Sequence, residues 1–198
     1  MNLSMTTPSN VSLPRSTTPT GLLKAVFLVG FMGAGKTSVG QKLAANLGWR
    51  FVDLDARITA KTGRTVAEIF EQNGELPFRR MEHDELRELL AELGEVRTVV
   101  SLGGGAWMQP ANVAAVQGAS LPVLFLDAPA DELWQRCLPE RGTRPLLHSE
   151  SEFRLLYDGR RVAYEQGTVR IETQGLTVDE VAHQIGLLLG HTKTLPPT

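Results

Sequence analysis

Residues 24–40 read KAVFLVGFMGAGKTSVG. Residues 25–29 are a short apolar run rich in β-branched and aromatic side chains, the pattern of a strand buried on both faces. Across residues 37–47, Val39, Leu43 and Leu47 recur at helical spacing, which predicts a helix starting near Lys36. Between strand and helix, Gly30, Gly35, Lys36 and Thr37 fit the pattern G-x-x-x-x-G-K-[ST]. Glycines let such a loop turn tightly and point its N–H groups at phosphate oxygens, and the helix N-terminus adds positive potential. Lys36 can then reach the outer phosphates, and the Thr37 hydroxyl can hold a magnesium ion. A glycine-rich turn with a solvated lysine is the plainer alternative, but strand before and helix after are the context that a phosphate loop requires.

Working outward, the 198-residue chain is long enough for one domain with a sizeable core, at 42% apolar and 21% charged residues. A net charge of −2 supplies no basic footprint for nucleic acid. The lone Cys137 excludes an internal disulfide framework and fits a reducing, cytoplasmic setting. No apolar run approaches the roughly 20 residues of a membrane span. Of the first twenty residues, twelve are Ser, Thr or Pro, so residues 1–20 read as a disordered tail, as do residues 191–198. The folded unit is expected at 21–190, and a monomer is the default expectation.

Further strands are predicted at 50–53, 98–102, 123–126 and near 168–172. Helices are predicted at 66–70, 75–93 (closed by Gly94), 110–116, 129–137, near 151–165 and at 177–189. Strands separated by helices imply right-handed crossovers and a parallel sheet covered on both faces, a three-layer αβα architecture. Ligands of such sheets bind beyond the carboxyl ends of the strands. There the chain places the phosphate loop, Asp53-Leu54-Asp55 and Gly103-Gly104-Gly105.

Asp53 and Asp55 lie two residues apart, so on an extended segment both point the same way. One can serve magnesium and the other an acceptor hydroxyl, although capping the following helix is the structural alternative. Three consecutive glycines after a buried strand let a ligand approach the backbone closely. Arg79 and Arg80 sit in a helical pattern where a solvated face is the ordinary reading. Arg141 and Arg144 lie in a polar stretch at 138–150 punctuated by Pro139, Gly142 and Pro145, which suggests a closing lid over a triphosphate. Trp49, Trp107 and Trp134 read as packing residues.

Taken together, GFMGAGKTSVG, FVDLDARI, GELPFRRMEHDEL, VVSLGGGAWM and RPLL, in this order and spacing over residues 24–190, resemble the shikimate kinase family. The resemblance implies a P-loop kinase fold of the nucleoside-monophosphate-kinase-like type with a mobile lid. It also implies ATP- and magnesium-dependent phosphorylation of the 3-hydroxyl of shikimate. Carried over by position, Gly33, Ala34, Gly35, Lys36, Thr37 and Ser38 would bind ATP, with Arg136 near adenine and Arg144 on the phosphates. Thr37 and Asp53 would serve magnesium. Asp55 would contact the acceptor's hydroxyls, Arg79 and Arg160 its carboxylate, and Gly103, Gly104 and Gly105 its ring. Lys36, Asp55 and Arg144 would be the catalytic set. Two departures stand out. The family's R-x-P-L-Y appears as residues 160–164, RRVAY, which favours Arg160 by its distance to Tyr164 and leaves Arg161 open. The loop at 172–176 lacks basic residues for side-chain contacts to adenine.

Phosphoryl transfer passes through a loose transition state, so positioning and charge neutralisation dominate. With an ordinary Asp pKa of about 3.9, Asp55 reads as an orienter of the hydroxyl that accepts its proton late. A kinase for another small acceptor such as gluconate or a nucleotide, a GTP-dependent switch, and a nucleotide-binding homologue without catalysis are the rival readings. The switch lacks an N-K-x-D guanine motif, and intact Lys36, Thr37, Asp53 and Asp55 argue against the third.

Overall fold

The computed structural model describes residues 23–140, 149–166 and 168–190. The chain runs β1 (Ala25–Val29), α1 (Lys36–Leu47), β2 (Arg50–Asp53), α2 (Leu54–Thr62), α3 (Val66–Asn73) and α4 (Glu75–Glu92). It continues through β3 (Thr98–Ser101), α5 (Pro110–Gly118), β4 (Val123–Asp127), α6 (Ala130–Cys137), α7 (Glu150–Glu165), β5 (Val169–Glu172) and α8 (Val178–Leu188). The strands form one parallel sheet in the order β2-β3-β1-β4-β5. The expected αβα architecture is thus present, and the order reverses direction at β1, which puts the phosphate loop at the switch point where such sheets bind ligands.

Burial follows the order. Every residue of β1, β3 and β4 is buried, whereas the edge strands β2 and β5 each bury one residue fully. This is why β1 and most of β4 read as apolar runs and β3 keeps an apolar centre, while the edges do not. A main cluster built on Phe27, Leu28, Val100 and Phe125 joins the sheet to Leu43, Leu86, Leu89, Trp107 and Ile185 of the flanking helices. Trp49 and Trp134 are also buried, as packing residues would be. A second, small cluster of Ile58, Ile69 and Phe78 packs α2, α3 and α4 on one another.

The expectation for Asp53 and Asp55 needs correction. Only Asp53 is extended; it ends β2 and caps α2, its Oδ1 accepting from the Ala56 N–H at 3.2 Å. Asp55 already lies in the first helical turn. The two therefore do not share a strand face, because Asp53 satisfies an otherwise orphaned N–H by starting a helix at once. The expected tails at 1–20 and 191–198 lie outside the described residues, as does most of the segment read as a lid.

Ile58→Ala tests whether the small cluster holds α2, α3 and α4 together. A buried Ile to Ala change typically costs about 2–5 kcal/mol. Urea denaturation should show a loss of that size, and a loss near zero would mean the cluster carries none of the fold.

Candidate active site

The phosphate loop is shaped by contact with α6. Gly33 has φ of +79°, and a Cβ there would lie 2.8 Å from both Cys137 Sγ and the Leu133 carbonyl oxygen. A side chain at this position is excluded on both counts. Buried Cys137 is therefore a packing partner of the loop. Lys36 Nζ bends back to donate to the Gly30 and Phe31 carbonyls at 2.9 and 3.1 Å. No side chain caps α1, and no acidic residue occupies its first turn. Its leading N–H groups and dipole are thus directed at whatever anion the loop receives.

Across the loop, Thr37 Oγ1 donates to Asp53 Oδ2 at 2.8 Å, so one carboxylate both starts α2 and meets the loop. Arg136 lies over the loop from α6, its Nη1 3.5 Å from the Gly33 carbonyl oxygen and its Nη2 paired with Glu132. Glu132 also accepts from the Gly175 N–H at 3.4 Å, which bridges α6 to the turn after β5. A cavity of about 530 Å³ opens here, lined by Gly33, Gly35, Lys36, Thr37, Ser38, Asp53 and Arg136 on one side and by Asp55, Gly103 and Gly104 on the other. Ala34, within the loop, is buried and does not line this cavity.

The three glycines divide their work. A Cβ on Gly103 would lie 2.5 Å from Asp55 Oδ1 and 2.9 Å from Glu82 Oε1, and one on Gly105 would collide with the Arg79 guanidinium. These two glycines make room for the chain's own charged side chains. Gly104 is the one of the three with room for a Cβ, which would meet the Tyr164 hydroxyl at 3.6 Å and the Gly30 carbonyl oxygen at 3.7 Å. Its carbonyl accepts from the Tyr164 hydroxyl and, at 3.4 Å, from Arg160 Nη1.

Arg79 is not a solvated helix residue. Its guanidinium lies on Gly105, takes Glu75 Oε1 at 3.1 Å (Nε) and 2.9 Å (Nη2), and pairs with Glu82 through Nη1. The rings of Phe70 and Phe78 flank it at 5.7 and 5.4 Å. Arg160 stands over the Phe31 ring at 6.0 Å on the Gly104 side. Arg161 binds Asp127 instead, so of the two candidates it is Arg160 that contacts Gly104, a residue lining this cavity. Arg144 and Arg141 lie outside the described residues.

Glu82 is the residue that sequence reasoning passed over, although it stands inside FRRME. The available signal was its i+3 spacing from Arg79, which places both on one helix face. It is 1% exposed, accepts from Gln109 Nε2 at 3.2 Å, and neighbours Asp55 and Arg160. Burial pushes its carboxyl up to about 7, against the pull of Arg79 and with a further push from Asp55.

A folded-state value of about 7 against an ordinary 4.5 means that the folded protein holds this proton more tightly than the unfolded chain. Stability from this group is complete below the ordinary value and declines as pH rises through 7. Glu82→Gln removes the titration. Urea midpoints of wild type and variant should diverge in the variant's favour between pH 5 and pH 8, and a pH-independent difference would refute the buried-carboxyl account.

Comparisons with known proteins agree with this geometry. The family model for shikimate kinase matches residues 32–189. A shikimate kinase of Thermus thermophilus is 39% identical over 163 residues, 81% of this chain and 86% of its own length. Among solved structures, the shikimate kinase of Acinetobacter baumannii in complex with shikimate superposes with a TM-score of 0.77 at 36% identity, covering 84% of this chain and 93% of that one. A gluconokinase of Sinorhizobium meliloti, at 17% identity and a TM-score of 0.53, shares the fold alone. With most of its length matched and its loop, aspartates and glycines gathered on one rim, the chain belongs to the shikimate kinase family.

Proposed function

We propose that this chain transfers the terminal phosphoryl group of ATP to the 3-hydroxyl of shikimate, giving shikimate 3-phosphate and ADP, with magnesium as the companion of ATP. The observation that carries the reading is that one cavity is lined both by the phosphate loop and by Asp55 and Gly104, with Arg160 on the Gly104 carbonyl and Arg79 against the neighbouring Gly105. Phosphate and acceptor sides are thus contiguous, as direct transfer requires.

Thr37 and Asp53 fit magnesium. Both offer hard oxygen atoms 2.8 Å apart beside the loop, and magnesium is commonly held by one or two protein oxygens plus phosphates and water. Because the Thr37 hydroxyl donates its hydrogen to Asp53, its lone pairs remain available to a cation. When bound, magnesium supplies charge neutralisation on the phosphate oxygens.

The chain's own residues supply position and charge. The first-turn N–H groups of α1 and Lys36 would cradle the phosphates, Lys36 exchanging its two carbonyl partners for phosphate oxygens. Asp55, held against Gly103, would orient the acceptor hydroxyl in line and take its proton late. Arg79 and Arg160 would receive the acceptor's carboxylate, because a buried anion needs cationic partners. Glu75 and Glu82 occupy part of the Arg79 guanidinium and leave it further N–H groups for a ligand.

Coupled ADP release with ATP, magnesium and a panel of acids and sugars tests the reading. Turnover should depend on shikimate, and equal release without it, or preference for gluconate, would overturn the assignment. In calorimetry, Arg79→Ala should weaken shikimate binding while sparing ATP. A charge-assisted hydrogen bond is worth about 1.5–3 kcal/mol, so the loss should be roughly ten- to a hundredfold. Unchanged shikimate affinity would remove Arg79 from the acceptor site.

A further inference from the structure

Arg160 and Arg161 are consecutive on α7, so their side chains leave the helix about 100° apart. Arg160 reaches the Gly104 carbonyl at the cavity, and Arg161 reaches the end of β4. There its Nη1 and Nη2 donate to Asp127 Oδ1 and Oδ2 at 2.9 and 2.7 Å, a two-pronged pairing that fixes direction as well as distance. The Asp127 side chain is 2% exposed and is shared with Arg170, whose Nε lies 2.7 Å from Oδ2. Arg161 Nη1 also donates to the Tyr157 hydroxyl, which itself donates to the Ala128 carbonyl at 3.0 Å.

Flanking contacts hold the other side of the same helix turn. Tyr164 donates to the Gly104 carbonyl, and Trp107 Nε1 donates to the Ala163 carbonyl at 3.2 Å. A helix held at one side only can still roll about its axis; held on both, its rotation is set. The Arg161–Asp127 pair supplies the second hold within one residue of Arg160. Meanwhile the Asp127 main-chain carbonyl receives the Thr173 N–H at 2.8 Å and the Thr173 hydroxyl at 3.1 Å. One residue at the end of β4 thus ties both α7 and the turn after β5 to the sheet.

We propose that Asp127 and Arg161 are positioning residues: by pinning the roll of α7 they aim Arg160 at the acceptor's carboxylate, without touching substrate themselves. The inference rests on the proposed kinase reading. Phe153 and Tyr164 are buried from the same helix and pack it apart from the pair.

Steady-state kinetics and calorimetry on the full chain test the idea with Arg161→Ala, Arg161→Lys, Asp127→Asn, Arg160→Ala and the double variant Arg160→Ala/Arg161→Ala. Misaiming a charged contact is costly, so Arg161→Ala should raise the KM for shikimate about five- to tenfold while the KM for ATP and kcat stay within about twofold. Asp127→Asn should shift shikimate in the same direction, and Arg161→Lys, which keeps the charge but not the fork, should recover part of the loss. The deciding comparison is the double variant: on an Arg160→Ala background, Arg161→Ala should add no further loss of shikimate binding. A further loss there, equal shifts in both KM values, or a lowered melting temperature with unchanged kinetics would overturn the proposal. Should Arg161→Ala fail to fold, Asp127→Asn, read through the same split between KM and kcat, decides alone. Wild type failing to release ADP with shikimate would sink the kinase reading itself; a working wild type whose variants do not shift sinks only this inference.

Discussion

All strands of the sheet run the same way, so every loop leaving a strand's carboxyl end opens on one rim. This single constraint brings residues 33–38, 53–55 and 103–105 together although the first and last of them are 72 residues apart in the chain (105 against 33). Parallel pairing forces a crossover after each strand, and that crossover returns the chain to the same end each time. The central position of β1, with β3 and β4 on either side, sets the phosphate loop in the middle of that rim. The loop is then stiffened from α6, whose Leu133 and Cys137 leave no space for any side chain at Gly33.

Charge compensation is the second organising force. Among the described residues, Arg79 and Arg136 beside the rim are each paired with carboxylates, because burying a lone charge is costly and burying a bonded one is tolerable. Arg79 sits between Glu75 and Glu82. Arg57 takes Glu85 at 2.5 Å and Glu92 at 2.7 Å, and Lys61 adds Glu85 and Glu88, which straps α2 to α4. Those two helices carry Asp55 and Arg79, so the strap holds these two groups at one spacing. The Asp127, Arg161 and Arg170 junction does for α7 what this strap does for α2.

Glycine serves here mainly as absence of volume. Gly103 and Gly105 admit Asp55, Glu82 and Arg79 to the immediate neighbourhood of β3, where any larger residue would displace them. The consequence is a concentration of two carboxyl groups and a guanidinium against one stretch of backbone. That crowding is also what keeps Glu82 out of water and raises its carboxyl toward neutrality.

Periodicity and composition were enough to determine the layers of this protein. The buried runs at β1, β3 and β4 and the helical spacing after Lys36 are local patterns, and local patterns survive in one dimension. The phosphate loop was equally legible, since its strand, glycines, lysine and hydroxyl are contiguous. Tertiary structure alone decided the rest. Asp55 turned out to be helical because Asp53 caps α2, a competition between extended and helical geometry that spacing does not resolve. Glu82 drew no attention because its burial depends on Gly103, twenty-one residues further on. Arg160 and Arg161 are equivalent as letters; only the roll of α7, set by Asp127 on one side and Gly104 on the other, separates the one facing the cavity from the one holding the helix in place.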